Sequence, residues 1–360
     1  MKPIRLIVSG GGTGGHIYPA LAIASELKNR IPSSEVLFVG ALGKMEMEKV
    51  PKAGYPIKGL WISGFQRSLS FQNILFPLKL LVSILQACSI VKKFKPTIVV
   101  GTGGFASGAV LKVAQWMGLP TLIQEQNSIP GITNRLLGKK VDSICVAYEG
   151  MERFFPKNKI KLTGNPIRSM IIEGKASGSA KDFFGLDKNK KTLAIIGGSL
   201  GARRINEMIA DKLSFIQQFD LQILWQCGAL YYEQYKNIEQ QGVVIRSFID
   251  DMNQFYNAAD FIISRAGAGS ISELSSVGKP LLLIPSPNVT ANHQFHNANA
   301  LAQKGAALLI EERNLSQQFD SIFSTLVTDT QLQKQMSTAL KAIAKTDASA
   351  TIVNEMISLL

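Results

Sequence analysis

The sequence predicts a two-domain α/β protein with a parallel sheet in each half, and three observations carry that prediction. A glycine-rich loop closes an apolar run in each half: Gly10-Gly11-Gly12-Thr13-Gly14-Gly15-His16 after Leu6-Ile7-Val8, and Gly197-Gly198-Ser199-Leu200-Gly201-Ala202 after Leu193-Ala194-Ile195-Ile196. Short apolar runs alternate with helix-like stretches along most of the chain. The alternation restarts after Gly164-Asn165-Pro166, where the proline pushes Asn165 out of the α region. Two Rossmann-like domains follow, residues 1–163 and 164–345.

In the first half the strands are expected at Leu6 to Val8, Glu35 to Val39, Thr97 to Val100, Thr121 to Gln124, Ser143 to Ala147 and Lys159 to Leu162. Their apolar character on both faces is that of strands buried in a parallel sheet. The second half repeats the pattern at Leu193 to Ile196, Gln222 to Trp225, Val243 to Ile245, Phe261 to Ser264 and Leu281 to Ile284. Past about residue 315 the chain turns helical. Ile352, Met356 and Leu359 share one helical stripe, so the segment 346–360 is expected to pack back on the first domain. Ile74 to Val91 is a long apolar stretch interrupted by Pro77, Lys79, Ser83, Gln86 and Ser89 and followed by Lys92-Lys93-Phe94-Lys95. It reads as a membrane span, a buried core helix or a half-exposed helix lying on a membrane surface, and the charge of the same half favours the last.

Charge is distributed unevenly. Of the net +13, all lies in residues 1–163, with 21 Lys or Arg against 8 Asp or Glu; residues 164–360 hold 18 of each. Such a half faces a polyanion, and an anionic membrane surface fits better than nucleic acid, for which no recognition module or basic-aromatic ladder is present. A hydrophobic fraction of 46% excludes disorder, and three cysteines without paired spacing exclude a disulfide framework or zinc site. No basic start, long apolar core and cleavage site in succession precede the first glycine loop, so a cytoplasmic protein is expected.

The glycine loops lead into helices whose first N–H groups are unpaired, which makes both of them anion sites or plain tight turns. Neither ends in the Gly-Lys-Ser/Thr of a nucleoside triphosphate loop, and the acidic residue of a dinucleotide site is poorly matched in both. His16, at the start of a helix, suits a proton acceptor or a hydrogen-bonding group that fixes the loop. Gly101-Thr102-Gly103-Gly104-Phe105 forms a third anion-friendly turn. Glu125-Gln126-Asn127 follows a strand end, where a cleft wall and a solvated loop are both open readings. In the second half, Arg265-Ala266-Gly267-Ala268-Gly269-Ser270-Ile271-Ser272-Glu273 runs from strand to helix, with Glu273 expected in the first turn as a capping carboxylate or a diol ligand. His293 and His296 lack an acidic partner at metal-ligand spacing. No Asp-X-Asp pair occurs, so no metal is expected, and helix N-termini with arginines such as Arg168 are expected to balance diphosphate charge.

Taken in order, Gly11 to Ala20, Gly101 to Phe105, Glu125 to Asn127, Gly164 to Arg168, Gly197 to Ser199, Phe248 to Met252, Arg265 to Ala268 and His293-Gln294 resemble the MurG family over the whole chain. These enzymes transfer N-acetylglucosamine (GlcNAc) from UDP-GlcNAc to lipid I, undecaprenyl-pyrophosphoryl-MurNAc-pentapeptide, in peptidoglycan synthesis. The resemblance implies the GT-B glycosyltransferase fold, two Rossmann-like domains facing across a cleft, and no cofactor. It implies that Ile249 hydrogen-bonds uracil through its backbone, Glu273 the ribose, Ser199 and Ala268-Gly269-Ser270 the phosphates, and Gln294 the sugar. Thr13, Gly14, Gly15 and Asn127 would reach in from the first domain and Arg168 from the junction. His16 is the first candidate base and Glu125 the second. The expected partners are UDP-GlcNAc, lipid I, the cytoplasmic face of the inner membrane, and cell-wall synthesis and division proteins. One departure is Leu200, where the family usually has glutamine. A UDP-GlcNAc 2-epimerase and a non-enzymatic nucleotide-sugar-binding membrane scaffold are the competing readings.

Overall fold

Residues 3–64, 75–167, 180–198, 200–289 and 292–360 are described by the computed structural model. Two compact units divide the chain: Met1–Ile167 with Lys345–Leu360, and Arg168–Ala344.

The first unit holds a parallel sheet of β1 (Arg5–Gly10), β2 (Glu35–Ala41), β3 (Ile57–Leu60), β4 (Ile98–Gly103), β5 (Thr121–Glu125), β6 (Ser143–Val146) and β7 (Ile160–Leu162). Their order is β3-β2-β1-β4-β5-β6-β7. Leu6 pairs with Val36 on one side and Ile98 on the other, and Leu6, Ile7 and Val8 are fully buried. A parallel sheet needs cover on both faces, and each face has its own core. Helices Phe76–Phe94, Phe105–Trp116 and Ile132–Gly138 contribute to one, and helices Gly14–Arg30 and Ala348–Ser358 to the other.

The second unit repeats the design with β8 (Lys191–Ile196), β9 (Leu221–Gln226), β10 (Val243–Arg246), β11 (Phe261–Ser264), β12 (Leu281–Leu283) and β13 (Leu308–Leu309), in the order β10-β9-β8-β11-β12-β13. Strand order reverses between β1 and β4 in the first sheet and between β8 and β11 in the second. Outside the carboxyl ends of strands at such a reversal the connecting loops diverge and leave a crevice. Both glycine loops sit there, after β1 and β8.

Every apolar run read as a strand is one, and β3 and β13 are additional. Both are edge strands. In β3, Lys58 and Gly59 interrupt the pattern and only Leu60 is buried, while β13 is two residues long, so neither carries a periodic signal.

Helix Phe76–Phe94 covers the apolar stretch, apart from Ile74, which lies outside the described residues. Pro77 sits in the first turn, where its missing N–H costs no hydrogen bond. Only the stripe Ser83, Ala87 and Val91 is buried; Leu78, Leu81 and Leu85 are 49%, 57% and 62% exposed. This is a helix with one face on the core and an apolar face outside. Among the described residues no helix is long and apolar enough to cross a membrane.

Helix Ala348–Ser358 belongs to the first unit. Ile352, Val353 and Met356 are fully buried in one cluster with Ile17, Ile23 and Leu27, while Glu355 accepts from Ser143 Oγ (2.8 Å) and Asn354 Oδ1 from Arg30 (2.6 Å). The two crossings of the chain run against each other at Gly164 (φ 84°), where a Cβ would lie 2.4 Å from Lys345 Cβ.

Truncating Ile352 to Ala opens a cavity in the first unit and is expected to cost about 2–5 kcal/mol. Hydrogen exchange checks it: amides of β1 lose protection while those of β8 keep theirs. Equal loss in both would mean that the two cores are not separate.

Candidate active site

In the first unit the loop after β1 and the turn after β4 pass so closely that only glycine fits. A Cβ on Gly104 (φ 89°) would lie 2.5 Å from the Gly11 carbonyl, and one on Gly103 (φ 111°) would lie 2.7 Å from the His16 ring. Thr13 is the N-cap of helix Gly14–Arg30. It is exposed, and its side chain makes no capping bond. Gly14, Gly15 and His16 form the first turn, where no acidic side chain competes for an incoming anion. His16 is half-buried, its carbonyl accepts from Thr102 Oγ1 (2.8 Å), and its Nδ1 faces Gln126 Oε1 at 3.0 Å.

Glu125 and Asn127 stand together at the end of β5. Glu125 is 1% exposed, and its two oxygens accept from Asn127 N (3.0 Å), Asn127 Nδ2 (3.3 Å), Gly131 N (3.2 Å) and Asn134 Nδ2 (2.9 Å). A carboxylate so occupied organises its loop. It is neither the solvated loop residue nor a carboxylate open to a substrate proton.

One residue of this region carries no signal in the sequence. Glu46 is fully buried just past β2 and accepts from Gly12 N (2.9 Å) and Ala41 N (2.9 Å), which ties the first glycine loop down. Gln126, read from the sequence as part of a cleft wall or a solvated loop, is buried and is the partner of His16.

In the second unit the crevice is a cavity of about 410 Å³ lined by Gly197, Gly198, Arg203, Arg204, Tyr231, Arg265, Ser270, Gln294 and Glu312, among others. Helices Arg203–Asp211 and Ala268–Val277 begin beside it, so backbone N–H groups and three guanidinium groups converge on a space that suits a phosphorylated ligand. Arg265 is held rigidly. Its Nη1 donates to the Ile284 carbonyl (3.0 Å), its Nη2 to Glu312 Oε1, and both side chains are nearly buried. The sequence alone gives Arg203, Arg204 and Arg265 no role, although the first two open a helix, because nothing in hydrophobic periodicity marks which basic residue faces a cavity.

Of the other predicted donor-site residues, Ser270 and Gln294 line this cavity, and Gln294 Oε1 accepts from Ser286 N (2.9 Å). Ala268 and Gly269 open the adjacent helix without lining it. Arg168 and Ser199 lie outside the described residues. Leu200 points into solvent, 65% exposed, so a side chain without an amide stands at the mouth of this loop.

One expectation needs correction. Glu273 is the sixth residue of helix Ala268–Val277, past the first turn, so it is not a capping carboxylate; its Oε2 accepts from Tyr256 Oη (3.0 Å). The N–H of Ile249 donates to Gln226 Oε1 (2.9 Å). Gln226 Nε2 donates to the Gly198 carbonyl (3.2 Å), so this buried side chain ties the Ile249 segment to the second glycine loop.

Among the described residues no group of three or more His, Cys, Asp and Glu side chains is arranged to hold a metal, His293 and His296 included. All three cysteines are free. Burial pushes the thiols of Cys145 and Cys227 up, so neither is a ready nucleophile at neutral pH.

Comparison with known proteins agrees with this geometry. Residues 6–146 match the model for the glycosyltransferase family 28 N-terminal domain, and residues 192–352 the one for its C-terminal domain. A protein of Flavobacterium psychrophilum named "UDP-N-acetylglucosamine--N-acetylmuramyl-(pentapeptide) pyrophosphoryl-undecaprenol N-acetylglucosamine transferase" is 55% identical, over 100% of this chain and 98% of its own. One of the same name from Christiangramia forsetii is 51% identical, over 98% and 97%. The crystal structure of Acinetobacter baumannii MurG superposes with a TM-score of 0.77 at 28% identity, over 99% of this chain and 100% of that one. With two parallel-sheet units of the GT-B type and relatives this near over their whole length, the chain belongs to glycosyltransferase family 28 and, within it, to the MurG family of N-acetylglucosaminyltransferases.

Proposed function

We infer that this chain transfers GlcNAc from UDP-GlcNAc to lipid I and so makes lipid II for peptidoglycan. The observation that carries the reading is that relatives at 51–55% identity over essentially the entire chain bear the name of that activity. It disfavours the 2-epimerase and the non-enzymatic scaffold.

The chemistry we propose is one inverting displacement. The muramyl 4-hydroxyl oxygen bonds to the anomeric carbon of GlcNAc as the bond from that carbon to the β-phosphate oxygen breaks. The bonding pair leaves with UDP, and the hydroxyl proton passes to His16. His16 is favoured over Glu125 because the glutamate's oxygens are already occupied. Donor binding belongs to the cavity of the second unit, where N–H groups at two helix starts and Arg203, Arg204 and Arg265 supply positive charge for the departing diphosphate without calling on a metal.

The lipid end of the acceptor calls for a membrane surface. Leu78, Leu81 and Leu85 are exposed on helix Phe76–Phe94, which packs beside the helix carrying Trp116 (61% exposed), and that helix packs beside the one carrying Ile132 and Leu136 (71% and 69%). With the basic excess of residues 1–163, this apolar surface supports peripheral docking on the anionic cytoplasmic leaflet, where each nearby basic residue adds about 1 kcal/mol.

Transfer of labelled GlcNAc to a lipid I analogue in EDTA, with an acceptor-free control, tests the function. Acceptor-dependent product is expected; epimerised sugar in the control with no transfer would overturn the reading. His16→Ala is expected to lower kcat by about 10²–10⁴-fold, and retention of near-normal turnover would remove His16 as the base. Gly103→Ala must displace the imidazole and is expected to lose kcat on a similar scale, while circular dichroism shows the fold retained. Leu81→Ser with Leu85→Ser should weaken co-sedimentation with anionic vesicles; unchanged binding would move the membrane surface elsewhere.

A further inference from the structure

A neutral histidine accepts a proton only through the ring nitrogen that has no hydrogen, and the hydrogen-bond partner of the other nitrogen makes that choice. The chain of contacts starts from a backbone carbonyl. Asn165 Nδ2 donates to the Gln126 carbonyl (3.1 Å), and because a carbonyl can only accept, the Asn165 amide has a single orientation. Its Oδ1 then faces Gln124 Nε2 (2.9 Å), which turns Gln124 Oε1 toward Gln126 Nε2 (2.5 Å). Gln126 Nε2 also meets the carbonyls of Thr102 (2.8 Å) and Gln124 (3.0 Å), so acceptors alone surround it. Flipping this amide would set its oxygen against those acceptors, in a place where Gln124, Gln126 and Asn165 are all at most 2% exposed.

Gln126 Oε1 is therefore the atom that faces His16 Nδ1 at 3.0 Å, and an amide oxygen has no hydrogen to give. We propose that Asn165, Gln124 and Gln126 form a relay of amides, anchored on backbone carbonyls, that holds His16 as its Nδ1–H tautomer and leaves the Nε2 lone pair as the proton acceptor. Gln126 is a positioning residue. It orients the ring as a carboxylate would, without adding a charge beside it, and Gly103 leaves room for the ring to lie flat on the turn after β4. The catalytic half of this proposal rests on the assignment of His16 as the base; the tautomer itself does not.

Nitrogen-15 NMR of the full chain reads the tautomer directly, and the chain has only three histidines, with His16 assigned by the signal lost in His16→Ala. Neutral His16 is expected as Nδ1–H. Gln126→Met, which keeps the length and removes the acceptor, is expected to give a tautomer mixture and to lower kcat by roughly 10- to 100-fold with the KM of both substrates little changed, the pattern of a base in the wrong tautomer. An Nε2–H tautomer in the wild type overturns the relay, and so does a tautomer that Gln126→Met leaves unaltered. The wild-type spectrum decides even if the variant folds poorly. Full turnover by His16→Ala would instead overturn the base assignment while leaving the tautomer result standing.

Discussion

The structure depends on one steric constraint, that backbone must pass backbone where strand order reverses. A parallel sheet that grows both ways from its first strand brings two strand ends and their loops to one point, and a side chain between them would hold them apart. Gly103 and Gly104 meet that demand in the first unit. In the second unit the close approach falls on the other side of the first strand, between the loops after β8 and β9, where a Cβ on Gly201 would lie 2.0 Å from the Cys227 carbonyl. Once the loops are that close, the N–H groups of the following helices, the His16 ring and the fixed arginine Arg265 fall into place around them.

The two crevices use this constraint differently. In the first, the nearby charges are neutralised internally: Glu46 and Glu125 are buried and spent on N–H donors, and His16 is flanked by an amide. In the second, three arginines line the space, each held by a carboxylate, Arg203 and Arg204 by Glu207 and Arg265 by Glu312. A neutral proton acceptor and a positively lined donor cavity are the two requirements of a sugar transfer that releases a diphosphate.

The fold was legible in the sequence wherever burial is two-sided, because Leu6-Ile7-Val8 and Leu193 to Ile196 have no polar face to present. It was not legible at β3 and β13, whose edge positions relax that demand. The glycine loops and His16 could be read because their residue types are dictated by close approach and by chemistry. Glu46 and Gln226 could not, since a buried polar residue is recognised by its partners, and Gly12, Gly198 and Ile249 lie far from them in the chain. Glu273 was placed in the wrong turn because the helix begins at Ala268, a residue with no capping side chain to mark the start.

The place of helix Ala348–Ser358 also governs when the protein can fold. The second unit is an insertion in the first, contiguous from Arg168 to Ala344, and can close its core as soon as it is made. The first unit cannot: its core lacks Ile352, Val353 and Met356 until the last segment has been synthesised. At about 5–20 residues per second, the sheet built from residues 5–162 waits on the order of ten seconds or more for its last helix. Through that interval Ile17, Ile23 and Leu27 lack the apolar cover that Ile352, Val353 and Met356 give them.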